Sequence, residues 1–320
     1  MNLTRRQFTK LALAAPAAAW LARPLTANAA SPRPNSVING VNLGAITYSY
    51  RAMPDQSAEA YLRYIVDSGI SQIEFMGGPV EAFAGGPAMP RIGPGGRGVA
   101  LTAEQQIQQR EAMAKLRAWR TSVSMDRFKA LRKMYNDAGV TIYAWKALSA
   151  SMTDEEIEYV FNVAEALGNT HVTLELVDDP AQLKRLGDWG LKRKIAVAYH
   201  THLQGNITAF DKAFAASKGN LANVDLGHYV AAGGDPMAFL NKFHDRIASF
   251  HLKDRTTPAR GAKNVPWGMG DTPLTEILQT VKKNGWKMPA TIEMEYEVPA
   301  GSDPVKEVVK CVDYSKRALA

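Results

Sequence analysis

Residues 223–254 read NVDLGHYVAAGGDPMAFLNKFHDRIASFHLKD. Two short apolar runs stand at its ends, Val224-Asp225-Leu226-Gly227-His228 and Ile247-Ala248-Ser249-Phe250-His251-Leu252-Lys253-Asp254, and both have strand length and strand alternation. Asp235 to Phe243 between them has helical period, so the stretch is a strand, a helix and a second strand, the unit of an α/β fold. Alternation lets Asp225 in the first run, and His251 with Lys253 in the second, point to a single side. A carboxylate and an imidazole at the ends of neighbouring strands are the beginning of a divalent-metal site.

The same alternation continues in both directions. Candidate strands are Asn42 to Thr47, Gln72 to Met76, Thr141 to Lys146, His171 to Leu176, Lys194 to His200, Asn223 to Leu226, Ile247 to Leu252 and Ala290 to Glu295. Helix-like segments separate them at Ser57 to Ser68, Ser124 to Ala138, Thr153 to Leu167, Pro180 to Gly187, Ile207 to Ser217, Asp235 to Phe243 and Pro273 to Asn284. Thr153 with Glu156 is a capping box, and Gly69, Gly139, Gly168 and Gly285 close helices. Eight repeats without a gap predict an α/β fold consisting of a single (β/α)8 TIM barrel over residues 31–320. An open doubly wound sheet is the competing fold, but no Gly-rich phosphate fingerprint follows the first strand. Gly77 to Val123 interrupts the pattern with Gly-Gly-Pro turns and a polar helix around Thr102 to Arg120; it reads equally as a lid over the barrel mouth or as a disordered excursion.

The chain has 320 residues, 46% of them apolar and 22% charged, an ordinary globular composition with length for one large core. Its net charge of +7 includes the leader and no long Lys/Arg run, so nucleic acid is not expected as a partner. Residues 1–30 read as a secretory leader of the twin-arginine type: Arg5-Arg6, the apolar run Leu11 to Leu21, and Ala27-Asn28-Ala29 before Ala30. A periplasmic location follows, with no stable membrane anchor after cleavage. Cys311 is the single cysteine and excludes an intramolecular disulfide.

In a barrel, chemistry gathers at the C-terminal strand ends. The fourth strand ends in Glu175, with His171 deeper and structural; the fifth ends His200-Thr201-His202. The sixth gives Asp225 and His228, the seventh His251 and Lys253, and the eighth Glu293 and Glu295. Four of six histidines fall at three strand ends. Buried charges are costly unless paired or metal-bound, so the set predicts one divalent metal ion, and the absence of thiolate leaves Mn²⁺, Co²⁺, Mg²⁺, Fe²⁺ and Zn²⁺ open. Lys253 would steady a substrate oxygen, or else pair with Asp254 or Glu295. Glu74 exits the second strand as a candidate substrate contact. Tyr48, Tyr50, Phe75, Trp145 and Trp267 are candidates for stacking on a sugar or for the core.

The order His200-Thr201-His202, Asp225-Leu226-Gly227-His228, His251-Leu252-Lys253-Asp254, Trp267-Gly268-Met269-Gly270 and Glu293-Met294-Glu295 resembles the xylose-isomerase-like TIM-barrel superfamily. The likeness covers the chain after the leader. It implies a single divalent metal held by two glutamates, an aspartate and a histidine. Asp225, His251 and Glu293 match that pattern; His200 stands where the fifth-strand glutamate is expected, and Glu175 is the nearest substitute. His200 or His202 is then left as a base.

Removing a proton next to a carbonyl creates an enolate that a metal and nearby donors stabilise. Glu293 or a neutral imidazole such as His202 has a usable pKa for that step. The expected function is a metal-dependent isomerase or epimerase of an unphosphorylated sugar or keto-sugar. The substrate-binding candidates are His228, Glu74, Trp145, Trp267 and Glu295. The alternatives are a lyase or dehydratase of the same chemistry, and a non-catalytic exported sugar-binding protein. A small-molecule carbohydrate is the expected partner, and the sequence leaves a homo-oligomer open.

Overall fold

A computed structural model describes residues 33–90 and 101–320; the expected leader and the Arg91 to Gly98 part of the insertion lie outside these. Eight parallel strands form one sheet: β1 (Val41–Ile46), β2 (Gln72–Met76), β3 (Thr141–Lys146), β4 (His171–Glu175), β5 (Ala196–His200), β6 (Asn220–Asp225), β7 (Ile247–Leu252) and β8 (Ala290–Ile292). Each pairs with the next, and β1 also pairs with β8, Leu43 opposite Ala290, so the sheet closes into the expected barrel.

The helices are α1 (Ala58–Asp67), α2 (Gly77–Phe83), α3 (Ala103–Arg120), α4 (Asp126–Asp137), α5 (Asp154–Leu167), α6 (Pro180–Arg193), α7 (Asp211–Ala216), α8 (Leu226–Ala231), α9 (Pro236–Phe243), α10 (Leu274–Asn284) and α11 (Pro304–Leu319). Thr153 and Glu156 cap α5 reciprocally, and Gly168 ends it with φ of 75°. The structure departs from the expected pattern at α2, which forms where Gly-Gly-Pro turns are expected, at the junction of β6 and α8, and at α11. β6 stops at Asp225, so His228 lies in the first turn of α8 and not on a strand. The terminal helix α11 was not anticipated, although Asp303 caps it ahead of Pro304 and Val308, Cys311, Val312, Ser315 and Leu319 form its buried stripe.

Strand alternation divides the molecule into two interiors. Outward-facing Phe75, Trp145, Tyr199, Val224, Phe250 and Ile292 are fully buried beneath the helices. Apolar burial of this kind contributes on the order of 1.5–3 kcal/mol per large side chain. Inside the barrel the residues are instead polar and cross-linked. Tyr143 and Thr291 hydroxyls meet at 2.6 Å, His171 Nε2 meets Ser249 Oγ at 2.9 Å, and Ser249 Oγ donates to Asn223 at 3.1 Å. Burial lowers the His171 pKa to about 4, which leaves it a neutral structural imidazole as expected.

The insertion is held from below. Arg120, at the end of α3, donates to Glu81 Oε1 at 2.8 Å and to Glu156 Oε1 at 3.3 Å, and Tyr159 donates to the same Glu81 oxygen at 3.1 Å. All three ionic groups are buried, whereas Leu116 is the one other buried residue of α3. The insertion is therefore anchored as a surface helix. None of its described residues lines the barrel-mouth cavity.

Candidate active site

The mouth of the barrel opens into a cavity of about 460 Å³. Its lining follows the inward phase of the strands: Ile46 and Tyr48 after β1, Met76 from β2, Lys146 from β3, Glu175 from β4, His200 and His202 from β5 and beyond. Glu293 and Glu295 continue the inward phase past β8, His228 enters from the first turn of α8, and Asn264 from a short strand that pairs with Asp254–Arg255.

At its floor, one ligand atom from each of His200, Asp225, His251 and Glu293 lies within 4.8 Å of the others, and all four residues are buried. They come from four consecutive strand ends, β5 to β8. His251 is clamped: Nε2 is 2.7 Å from Glu74 Oε2 and Nδ1 is 2.7 Å from Glu293 Oε2. Glu74 also accepts from Thr173 Oγ1 at 2.6 Å and from Asn223 Nδ2 at 3.2 Å, so it is a buried anchor under the floor. Burial opposes charge on His251, but Glu293 and Glu74 outweigh it and raise the pKa to about 10. His200 goes the other way; burial and the Lys146 and His251 charges keep it neutral.

Lys253 reaches the same floor. Its Nζ is 2.9 Å from Asp225 Oδ2, 2.9 Å from Glu293 Oε2 and 2.5 Å from Glu295 Oε2. Desolvation works against the ammonium, yet the three carboxylates hold its pKa well above the ordinary lysine value. The Asp254 and Glu295 alternatives thus divide: Lys253 pairs with Glu295, and Asp254 accepts the backbone N–H groups of Gly268, Gly270 and Thr272. Gly270 is needed there, because a Cβ would lie 2.1 Å from Asp254 Oδ1. Gly227 is needed for a similar reason, since its Cβ would fall 2.3 Å from Lys253 Cγ.

The donor set fits a divalent cation. His200 Nδ1 and Asp225 Oδ2 are buried and make no aligned hydrogen bond, despite the nearby Lys253 charge. Burial also pushes the Asp225 pKa up, the response of a carboxylate short of compensating positive charge. Two imidazoles and two carboxylates without thiolate suit a first-row divalent ion or Mg²⁺.

Several expected residues stand elsewhere. Glu175 is not in the four-residue group: its Oε1 lies 2.9 Å from Lys146 Nζ and its Oε2 2.8 Å from His202 Nε2. The reason is position, since β4 is one strand further round the barrel and His200 fills the fourth place. Those partners outweigh desolvation and lower the Glu175 pKa to about 2. Glu74 lies beneath His251 and does not line the cavity. Trp145 is in the outward phase against Tyr159, ring centroids 6.2 Å apart, and Trp267 packs edge-on to Tyr314 at 5.7 Å. Tyr50 and Phe75 are core, and Tyr48 alone of the named aromatics lines the cavity.

His202, His228 and Glu295 line the cavity. His202 Nδ1 is 3.3 Å from His228 Nε2, and the Arg255 guanidinium closes tightly on His228 Nδ1. Burial, Lys253 and Arg255 lower the His228 pKa to about 2 against the pull of Glu295. Lys146 and Arg255 were missed by sequence reasoning. Neither carried a clear signal: a register irregularity between β2 and β3 lets Tyr143 and Lys146 both face the interior, which strict alternation does not give, and Arg255 lies past the end of β7.

The xylose isomerase-like TIM barrel family model matches residues 95–315. An inosose dehydratase of Clostridium tetani is 26% identical over 159 residues, which span 43% of this chain and 53% of that protein. An L-ribulose-5-phosphate 3-epimerase of Shigella flexneri is 34% identical over 96 residues, 30% of this chain and 32% of the relative. The chain thus spans about half or less of the length of these curated relatives. A solved L-ribulose 3-epimerase superposes with a TM-score of 0.56 at 13% identity, over 87% of this chain and 95% of that one, a likeness of fold. With the family model matching well over half of its length, the chain belongs to the xylose isomerase-like TIM barrel family.

Proposed function

We propose that this chain is a metal-dependent isomerase or epimerase that moves a proton at the carbon beside the carbonyl of a sugar or keto-sugar. The observation that carries this reading is the convergence of His200, Asp225, His251 and Glu293, next to Lys253, at the floor of a sugar-sized cavity. Those four residues would hold one divalent ion, of which Mn²⁺, Co²⁺, Mg²⁺, Fe²⁺ and Zn²⁺ all suit the donors. When bound, such an ion supplies Lewis acidity that lowers the cost of charge on a carbonyl oxygen. His200, neutral and buried, serves better as a ligand than as a base.

The remaining roles fall to the cavity wall. Ile46, Met76 and Tyr48 offer an apolar surface to the C–H face of a sugar, and Glu295, Asn264 and His228 offer hydrogen bonds to hydroxyls. Lys253 can donate to the oxygen on which negative charge develops. Glu293 and the rim pair His202 and Glu175 are the candidate proton acceptors. Among the described residues the cavity's lysines are engaged, Lys146 by Glu175 and Lys253 by three carboxylates, which supports an unphosphorylated substrate over a phosphate ester.

A lyase or dehydratase is the second reading. It is favoured by the adjacent His202 and His228 rings, 4.8 Å apart, which could protonate a leaving group, and by the inosose dehydratase relative. NMR of a keto-sugar incubated with the metal-loaded protein in deuterated buffer tests both. Exchange at the carbon next to the carbonyl with the skeleton kept supports the isomerase; loss of water or aglycone supports the lyase. Sugar binding with no exchange would leave a binding protein. The twin-arginine leader and periplasmic address are proposed on residues 1–30, and fractionation of cells expressing the full chain with Arg5 and Arg6 changed to Lys tests them.

A further inference from the structure

We infer that Arg255 and Asn264, neighbours on the hairpin beside the barrel mouth, together recognise one hydroxyl group of the substrate, Arg255 Nε–H donating to its oxygen and Asn264 Oδ1 accepting its hydrogen. Two orphaned atoms carry this. Among the described residues Arg255 Nε and Asn264 Oδ1 are both buried, and neither has a hydrogen-bond partner. A buried donor or acceptor left unmade bears its full desolvation penalty, so such atoms are uncommon and call for an occupant.

The donor and the acceptor fall on one face. Arg255 and Asn264 stand opposite each other where the short strands Asp254–Arg255 and Asn264–Val265 pair antiparallel. Residues so paired project their side chains to the same side, with Cβ atoms about 4.5–5.5 Å apart. That side is the cavity: Asn264 lines it, and the Arg255 guanidinium packs on His228, which lines it too. The two orphaned atoms nonetheless make no bond to each other.

The hairpin that presents them is braced. Arg255 Nη2 donates to the Ala262 carbonyl at 2.5 Å, and the Arg255 backbone N–H donates to Thr272 Oγ1 at 3.1 Å. Thr256 N–H donates to the Lys263 carbonyl at 2.9 Å, Lys263 N–H to Thr256 Oγ1 at 2.8 Å, and Thr257 N–H to Asp271 Oδ2 at 2.7 Å. With both terminal nitrogens of the guanidinium engaged, its planar fork aims Nε–H in a set direction. Asn264 is partly exposed and its terminal torsion is soft, so its amide can turn Oδ1 toward a ligand without moving the hairpin.

The pair selects by chemistry. A hydroxyl both accepts and donates, and so satisfies both atoms at once. An ether oxygen or a fluorine would answer Arg255 alone, and a phosphate or carboxylate oxygen would set an acceptor against the Asn264 oxygen. The inference rests on the reading of this cavity as a sugar site and adds the ligand class, a neutral polyol with a free hydroxyl at this wall.

Crystals of the full chain grown with Mg²⁺ and soaked in xylitol, a polyol without a carbonyl, test it together with calorimetric titration of xylitol in solution. The expected result is one xylitol oxygen within hydrogen-bond distance of both Arg255 Nε and Asn264 Oδ1, and an affinity about tenfold weaker in Asn264→Leu. Xylitol absent from the cavity or seated away from both atoms, a direct bond between Arg255 and Asn264 in its presence, unchanged affinity in the variant, or binding at crystal concentration only would overturn the inference. If Asn264→Leu does not fold, the wild-type crystal and titration decide. Xylitol cannot exchange a proton beside a carbonyl, so a failure here is distinct from a failure of the proposed reaction.

Discussion

His251 Nε2 and Glu74 Oε2 are 2.7 Å apart, in side chains with no solvent exposure. The pairing assigns the Nε2 proton of His251 to Glu74 and leaves Nδ1, the nitrogen beside Glu293 and the metal-type cluster, as the basic atom. Partners of this kind orient a ligating imidazole and raise its basicity, and their loss typically weakens metal binding about 10–100-fold. Glu74→Gln, which conserves shape, should weaken Mn²⁺ binding in calorimetry by that order while the fold persists. Wild-type affinity in the variant would mean that Glu74 is only a barrel brace.

Lys253 and a metal ion should compete for the same carboxylates. Breaking a buried ion pair by removing one partner typically costs about 3–5 kcal/mol. Lys253→Met should therefore lower the melting temperature of metal-free protein by roughly 10 °C. Added divalent ion should restore most of the loss, and its affinity should rise relative to wild type because the competing ammonium is gone. Equal melting temperatures without metal, by differential scanning calorimetry, would contradict the ion-pair account.

The clamp on His251 sets a pH dependence. Its folded pKa near 10 lies above the value of about 6.5 expected in the unfolded chain. A group shifted in this direction contributes stability that is fully present below about pH 6.5 and is lost as pH rises through the folded value. Urea midpoints of metal-free protein should fall between about pH 6.5 and pH 10, after correction for the background measured in a His251→Gln variant. Metal affinity should rise over the same window, since the ion displaces the His251 proton. A flat stability profile would show that His251 is neutral in the metal-free fold.

Arg120 ties α3 to Glu81 of α2 within the insertion and to Glu156 of α5 on the barrel wall, away from the cavity. Arg120→Met leaves buried Glu81 without its cation and Glu156 with Arg117 as its remaining partner, and should destabilise the protein by about 3–5 kcal/mol. Mn²⁺ affinity of the folded fraction should stay at the wild-type value. Calorimetric titration showing a tenfold loss would instead connect the insertion to the site.

The barrel was legible in the chain because eight apolar runs of strand length recur between helical segments, and such periodicity depends only on neighbours along the polymer. Asp225, His251 and Glu293 were legible for the same reason, each at the inward phase of a strand end. Along β3 a register irregularity turns both Tyr143 and Lys146 inward, so alternation alone could not assign Lys146. What local pattern could not supply was which strand ends become neighbours around the closed sheet. His200 displaces Glu175 from the metal-type group because ligand atoms must come within a few ångströms of one point, and that distance is set by strand order, tilt and side-chain reach together. The contact of Arg255 with His228 across 27 residues is of the same kind. Periodic burial follows from covalent sequence, whereas convergence on a shared point exists only once the barrel has closed.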